Sequence, residues 1–318
     1  MTSFLHRLWN AAVAVRPRGR LLLICLLMAW SLPAMAQARV VVTIKPLQLI
    51  AAAITDGVSE PELLIPANQS YHHFTLRPSA MRTLTSSDLL LWVGPELETY
   101  LADAVYQLDR SGAVDVLPVS RLSDITRHSP LGKALISGDG EAHGHDHAYD
   151  PHLWLDTRNA ERIAQALLER LVEKDPANAG AYQANTDRFT GQLQQWREEA
   201  DQRMAALRDR DYAVYHNAFQ YFEREHGLEP ALVFVLDDEI QPGMRQLLSV
   251  RRELENRPMH CLLEDGTANA ATIRTALGDL ALRRVQADTM AVELSAGPDA
   301  YIQLLEQLVG AYEACLAD

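Results

Sequence analysis

One stretch of the chain, residues 181–208, constrains the fold more than any other. Its apolar residues recur at intervals of three, four or seven positions and so share one helical face: Tyr182, Phe189, Leu193, Trp196, Ala200, Met204 and Leu207. The stretch contains no proline, and Gly191 is its only glycine. It predicts one helix about 42 Å long at 1.5 Å per residue, which is long enough to brace two lobes. Two helices that break near Gly191 are the alternative, because glycine inside a helix costs about 1 kcal/mol relative to alanine.

Before this stretch, short apolar segments alternate with segments of helical spacing. A β-branched run at 40–44 reads as a buried strand, and Pro46 then begins an apolar helix that runs to Ile54. Further strands are predicted at 62–66, 89–93 and 114–117, with helices from about Arg77 and over 95–108. Such alternation is typical of a parallel-sheet α/β domain.

The second half repeats the pattern, with predicted strands at 212–215, 231–236, 260–264 and 284–287. We therefore predict an α/β fold of two Rossmann-like lobes with parallel sheets, joined by the long helix. The expected boundaries are an N-terminal lobe at 37–176, a linking helix at 177–208 and a C-terminal lobe at 209–318. The length of the chain from residue 37 to residue 318 suits two domains of ordinary size.

The N-terminus has the layout of a secretory signal peptide. Residues 1–20 contain four arginines and no acidic residue, an apolar run follows at 21–30, and small-x-small cleavage sites end at Ala36 and Ala38. We predict cleavage after Ala36, which makes 1–36 the signal peptide. An uncleaved anchor is the alternative, but the run is much shorter than the roughly 20 residues that span a bilayer. We therefore expect a soluble exported protein without stable membrane insertion.

The charge balance excludes some partners. The chain carries 29 basic and 42 acidic residues, a formal net charge of −13. Loss of the signal peptide would make this charge more negative still. Such a surface repels nucleic acid and anionic lipid, and it is compatible with a cationic ligand.

Cysteine usage agrees with export. Once Cys25 leaves with the signal peptide, Cys261 and Cys315 remain as an even pair in an oxidising compartment. We predict that they form a disulfide. Two unpaired buried thiols are the alternative.

Histidines fall in three places that matter for chemistry: beside predicted strands at His72 and His216, and in one polar stretch that holds His143, His145, His147 and His152. Imidazole is a preferred ligand of zinc, copper and nickel. In open α/β sheets, ligands bind beyond the carboxyl ends of strands, where His72, His216 and the pair Glu264-Asp265 are all predicted to lie. Three imidazoles and one carboxylate or water would satisfy tetrahedral zinc. Spacing alone leaves open whether these histidines meet.

Several ordered motifs resemble those of a known family. They are IKPL at 44–47, HHFTLRPS at 72–79, LWVGPELE at 91–98, DPHLWL at 150–155, YHNAFQYF at 215–222 and EIQPG at 239–243. Together they span nearly all of the mature chain and resemble ZnuA, the zinc-specific periplasmic binding proteins of ABC importers. The family shares a rigid linking helix, and the pair of cysteines is similar to its disulfide.

The resemblance implies a ligand set of His72, His152 and His216, with His72 chosen over the adjacent His73. Its two lobes would hold the metal in the cleft between them, and binding would draw them together. The fourth ligand implied by relatives is a carboxylate after a late strand, for which Asp265 is favoured over Glu264, with water as a competitor.

Three departures from the family pattern affect the surroundings of this site. Tyr71 stands where proline or an acid is common, Ala80 stands where aspartate is common, and Glu264-Asp265-Gly266 replaces the usual Ala-Glu-Pro. None of them removes a histidine.

The segment at about 137–150 is rich in glycine, aspartate and glutamate around His143, His145 and His147. It predicts a loop. By resemblance it is a shortened form of a secondary, weaker zinc-gathering loop, and a plain solvated loop is the alternative.

The function that the resemblance implies is zinc capture in the periplasm and delivery to an ABC permease with a cytoplasmic ATPase. We expect a monomer that binds Zn²⁺ as transported ligand and is not an enzyme. A manganese or iron receptor of the same family, a zinc-dependent hydrolase, and a metal-dependent adhesin or metallochaperone are the alternatives. The hydrolase is disfavoured because the chain has no His-Glu-x-x-His motif.

Overall fold

The computed structural model describes residues 37–72, 74–128, 149–235 and 242–317. The predicted signal peptide and most of the predicted histidine-containing loop lie outside these ranges. Within them, no helix combines the length and the apolar character that crossing a membrane requires.

The first half of the chain forms a four-stranded sheet in the order β2-β1-β3-β4, in which every neighbouring pair is parallel. Its strands are β1 (Val40–Val42), β2 (Glu62–Leu63), β3 (Leu89–Trp92) and β4 (Asp115–Pro118). The helices of this half are α1 (Lys45–Ile54), α2 (Pro78–Thr85), α3 (Ala102–Ser111) and α4 (Thr157–Lys174). All four predicted strands are confirmed. The strands β1 and β3 are buried along their whole length, as their continuous apolar runs indicate.

The predicted helix over 95–108 begins later than expected. A 3₁₀ turn starts at Thr99, and regular α-helix starts only at Ala102. The reason is the buried carboxylate of Glu98, which accepts hydrogen bonds from the Thr43 hydroxyl and, at 3.0 Å, from the Gly94 backbone N–H. Gly94 has φ +147°, and a Cβ there would lie 2.2 Å from the Ser120 hydroxyl oxygen, so glycine is required at this turn.

The long helix is α5 (Ala179–Ala205), and it continues through Gly191 without a break. The prediction of one helix is therefore confirmed, and its 27 residues correspond to about 40 Å. Six of the seven residues of the predicted apolar face are buried in it: Tyr182, Phe189, Leu193, Trp196, Ala200 and Met204. This face packs against α4 and α1, which offsets the cost of the interior glycine.

The second half forms another parallel sheet with the equivalent strand order, β6-β5-β7-β8. Its strands are β5 (Ala213–His216), β6 (Leu232–Val235), β7 (Cys261–Glu264) and β8 (Arg283–Gln286). The helices are α6 (Gln220–His226), α7 (Met244–Asn256), α8 (Ala270–Leu277) and α9 (Ala300–Leu316). The prediction of two similar parallel α/β lobes on one long helix is confirmed.

The C-terminal helix α9 fastens the halves together. It packs against β7 and β8 of the second sheet and also against α5 and against α1 of the first half. Side chains from both sheets, such as Leu90 and Leu263, belong to one continuous apolar core. Buried apolar area shared in this way opposes large separation of the lobes.

A disulfide joins Cys261 in β7 to Cys315 in α9, with Cα atoms 5.5 Å apart. Both cysteines are completely buried. The predicted bridge is therefore present, and it ties the last helix to the second sheet.

Candidate metal centre

Three histidines from distant parts of the chain come together at the strand ends. His72 lies in the loop between β2 and α2, His152 directly precedes a 3₁₀ turn at Leu153–Leu155, and His216 is the last residue of β5. His152 and His216 are buried, with 2% and 4% of their surface exposed, and His72 is half-buried. Parallel sheets bring the carboxyl ends of their strands to one edge, which explains this convergence.

The three rings lie close to the separation that a shared ion requires. Their centroids are 5.3 Å apart for His152 and His216, 6.1 Å for His72 and His152, and 6.2 Å for His72 and His216. Imidazoles bound to one tetrahedral zinc at about 2.0–2.1 Å have centroids about 5 Å apart. Among residues that the structure describes, no three His, Cys, Asp or Glu side chains already meet at metal-binding distances.

Asp150 holds His152 in a defined orientation. Its Oδ1 accepts the backbone N–H of His152 at 2.9 Å and lies 2.7 Å from the ring Nδ1. A carboxylate only accepts, so in the neutral ring Nδ1 carries the proton and Nε2 keeps its lone pair. The Tyr221 hydroxyl, on α6, donates to the backbone oxygen of Asp150 at 2.7 Å. The second lobe therefore fixes a loop of the first.

Asp265 stands beside His216. It follows β7, which pairs with β5, and its Oδ2 lies 3.3 Å from Nδ1 of His216. The Thr267 hydroxyl lies 2.9 Å from each carboxylate oxygen. Burial alone would raise the pKa of Asp265, but the contacts with His216, Thr267 and the more distant His152 outweigh it and hold the pKa below its ordinary value. Asp265 is therefore a buried anion next to the imidazoles.

The neighbouring carboxylate, Glu264, is engaged elsewhere. It accepts hydrogen bonds from the Arg284 guanidinium, one of them at 2.8 Å, and from the Gln286 amide at 2.7 Å. Of the two acidic residues after the strand, the structure brings Asp265 and not Glu264 to a histidine.

Some residues that the sequence analysis names lie outside the described residues. These are His143, His145 and His147 of the predicted loop, His73, and residues 239–241 of the EIQPG motif. The role of the three loop histidines stays a prediction.

Sequence reasoning missed three side chains of this centre: Asp150, Tyr71 and Thr267. Asp150 had a local signal, because it stands two residues before His152, and a carboxylate on the second ring nitrogen is usual for metal-binding histidines. Tyr71 was noted only as a departure from the family pattern. Thr267 carries no signal that could be read without knowing that Asp265 is buried.

Two parallel α/β lobes on one long helix, with imidazoles and carboxylates gathered at the strand ends, define a two-lobed solute-binding protein. The chain belongs to the ZnuA family, since the family model described as zinc-uptake complex component A, periplasmic, matches residues 40–315.

Individual relatives agree with this assignment. The high-affinity zinc uptake system protein ZnuA of Yersinia pestis is 32% identical over 294 residues, covering 89% of this chain and 92% of that protein. Among solved structures, the laminin binding protein Lmb of Streptococcus agalactiae has a TM-score of 0.74 at 18% identity, covering 88% of this chain and 100% of that one. A zinc-bound ZnuA deletion mutant has a TM-score of 0.72 at 18% identity, covering 89% and 100%. At these identities the two structures show a shared fold.

Proposed function

We propose that this protein captures Zn²⁺ in the periplasm and delivers it to an ABC-type zinc importer. The observation that carries the proposal is the approach of three imidazoles, from both halves of the fold, to ring separations of 5.3–6.2 Å. Membership of the ZnuA family supports it, as does the name of the Yersinia pestis relative, which describes high-affinity zinc uptake.

The proposed ligands are His72, His152 and His216, each through one ring nitrogen. Asp265 and water are the predicted candidates for the fourth position. Three nitrogen donors favour zinc over manganese, whose sites are richer in carboxylate and water. The proposed domains are the lobes at 37–176 and 209–318 with the linking helix at 177–208.

Capture is an equilibrium in which neutral imidazoles displace water from the ion. Asp150 supports this by selecting the tautomer of the neutral His152 ring in which Nε2 carries the lone pair. Two buried carboxylates near the rings, Asp150 and Asp265, also offset the positive charge of the cargo. The cargo undergoes no bond making or breaking, so the protein acts as a receptor and not as an enzyme.

The proposed partners are a membrane permease and its cytoplasmic ATPase, which would take the ion from a monomeric receptor. A cleaved signal peptide at 1–36 would place the protein in the periplasm. Neither nucleic acid nor stable membrane insertion has a part in this function. The predicted loop with His143, His145 and His147 would gather zinc as a weaker, secondary site.

Elemental analysis of protein purified from periplasm tests the proposal. We expect one tightly bound zinc per chain, and loss of the tight site in His216→Ala. His260→Ala is the matched control, since that histidine is exposed. Equal zinc content in His216→Ala and the control would contradict the ligand set. Manganese or iron in place of zinc would favour the sibling receptor.

A further inference from the structure

Tyr71 packs beside two of the three histidines, His72 and His152. It is 5% exposed, and its ring centroid lies 4.3 Å from that of His72 and 6.1 Å from that of Trp154. The Tyr100 hydroxyl donates to the backbone oxygen of Tyr71 at 2.8 Å. Packing on the ring and a hydrogen bond on the backbone therefore fix where the phenol points.

The phenol points at the nitrogen of His152 that faces the metal centre. Its hydroxyl oxygen lies 3.5 Å from Nε2, while Nδ1 is occupied by Asp150. This distance is too long for a strong hydrogen bond. Two donors that share one tetrahedral zinc at about 2.0–2.2 Å are about 3.4 Å apart. The hydroxyl oxygen therefore lies at about the distance from Nε2 that separates two donors on the same ion.

The contact that Asp265 makes with a histidine differs from that of Tyr71. Its Oδ2 lies 3.3 Å from the Nδ1 atom of His216, and Thr267 contacts both carboxylate oxygens. A carboxylate on one ring nitrogen of a histidine usually orients the ring, so that the other nitrogen binds the ion. This geometry makes Asp265 a positioning residue for His216, in the way that Asp150 positions His152.

We propose that the phenolic oxygen of Tyr71 is the fourth donor to the bound ion. The proposal rests on the proposed function and refines its fourth position, for which the sequence offered Asp265 or water. The resulting site would consist of three histidines and one tyrosine.

The test compares Tyr71→Phe with two other variants in the full mature chain. Tyr182→Phe is the matched control, because it removes a buried hydroxyl that donates to Asp175 at 2.8 Å, away from the histidines. Asp265→Asn tests the competing donor. Each protein is titrated with Zn²⁺ against a chelator, and each is loaded with Co²⁺, whose visible absorption depends on its donor set and geometry.

We expect Tyr71→Phe to bind one zinc with affinity reduced about 10- to 100-fold and to show a changed Co²⁺ spectrum. Tyr182→Phe should match the wild type in both measurements, and Asp265→Asn should keep the wild-type Co²⁺ band positions. An unchanged affinity and spectrum in Tyr71→Phe would overturn the proposal. A shifted spectrum in Asp265→Asn, with none in Tyr71→Phe, would give the position to Asp265. In both cases one zinc bound through the histidines would leave the proposed function standing.

Discussion

The Nδ1 atom of His152 lies 2.7 Å from Oδ1 of Asp150, and the same oxygen accepts the backbone N–H of His152 at 2.9 Å. One carboxylate oxygen thus fixes both the backbone and the ring of a proposed ligand. This pairing determines the tautomer, and with it the nitrogen that is available to a metal.

Asp150→Asn should weaken zinc binding about 10- to 100-fold, which is the usual effect of losing a carboxylate behind a metal-binding histidine. The amide can still accept the two hydrogen bonds, but without the negative charge that raises the basicity of the ring. Competition titration gives the affinity, and Asp109→Asn, at an exposed position, is the control. Equal affinities for the two variants would show that Asp150 has no part in binding.

Zinc affinity should fall as the medium becomes more acidic. Imidazole binds the ion only when neutral, and an ordinary histidine titrates near pH 6.5, so protons compete with zinc below that pH. Competition titrations at about pH 7.5 and 5.5 measure the effect. The same affinity at both values would contradict ligation by histidine.

The stability of the zinc-free protein should depend on the buried carboxyl of Glu223. Burial raises its pKa to about 7, although the hydroxyls of Tyr212 and Tyr312 donate to it at 2.8 and 2.9 Å. Between about pH 4.5, where the unfolded residue titrates, and about pH 7, the folded state holds more protons than the unfolded state. The free energy of unfolding therefore falls as pH rises through this window, by an amount on the order of 3 kcal/mol.

Glu223→Gln removes this titration. Its free energy of unfolding in denaturant should decrease less between pH 4.5 and 7 than that of the wild type. Some dependence should remain, because burial also raises the pKa of Glu98 to about 7. If the free energy of unfolding changed equally with pH in the variant and the wild type, Glu223 would not be gaining a proton between pH 4.5 and 7.

The disulfide should contribute stability without taking part in binding. It closes a separation of 54 residues, which corresponds to about 4 kcal/mol in the chain-entropy model. We expect Cys261→Ser combined with Cys315→Ser to lower the free energy of unfolding by about 2–5 kcal/mol and to leave zinc affinity nearly unchanged. Denatured, unreduced mature protein should contain no free thiol. Two titratable thiols would refute the bridge.

Deletion of residues 141–148 should leave one tight zinc site and remove weaker binding. This segment contains His143, His145 and His147, which the proposed function treats as a secondary site. Calorimetric titration in excess zinc separates the two classes of site. Loss of the tight site would mean that the assignment of His72, His152 and His216 is wrong.

The architecture was largely predictable because its signals are local. Continuous apolar runs marked buried parallel strands such as β3, and the spacing from Tyr182 to Met204 marked the buried face of α5. The cysteine pair followed from their number and the expected compartment. The prediction that a helix starts at Pro95 was wrong. The side chain of Glu98 accepts a hydrogen bond from Thr43, 55 residues earlier in the chain, and the helix begins only after it.

The metal centre was only partly predictable from the sequence. Residue types and strand ends marked several histidines as candidates, and the resemblance to the ZnuA family selected His72, His152 and His216 among them. The sequence could not show that Glu264 pairs with Arg284 while Asp265 faces His216, although the two acids are adjacent. Nor could it show that Tyr71 points at His152. These contacts join residues 20 to 81 positions apart. They arise only when the strands, the long helix and the loops pack into one fold, because packing sets distances that no local periodicity encodes.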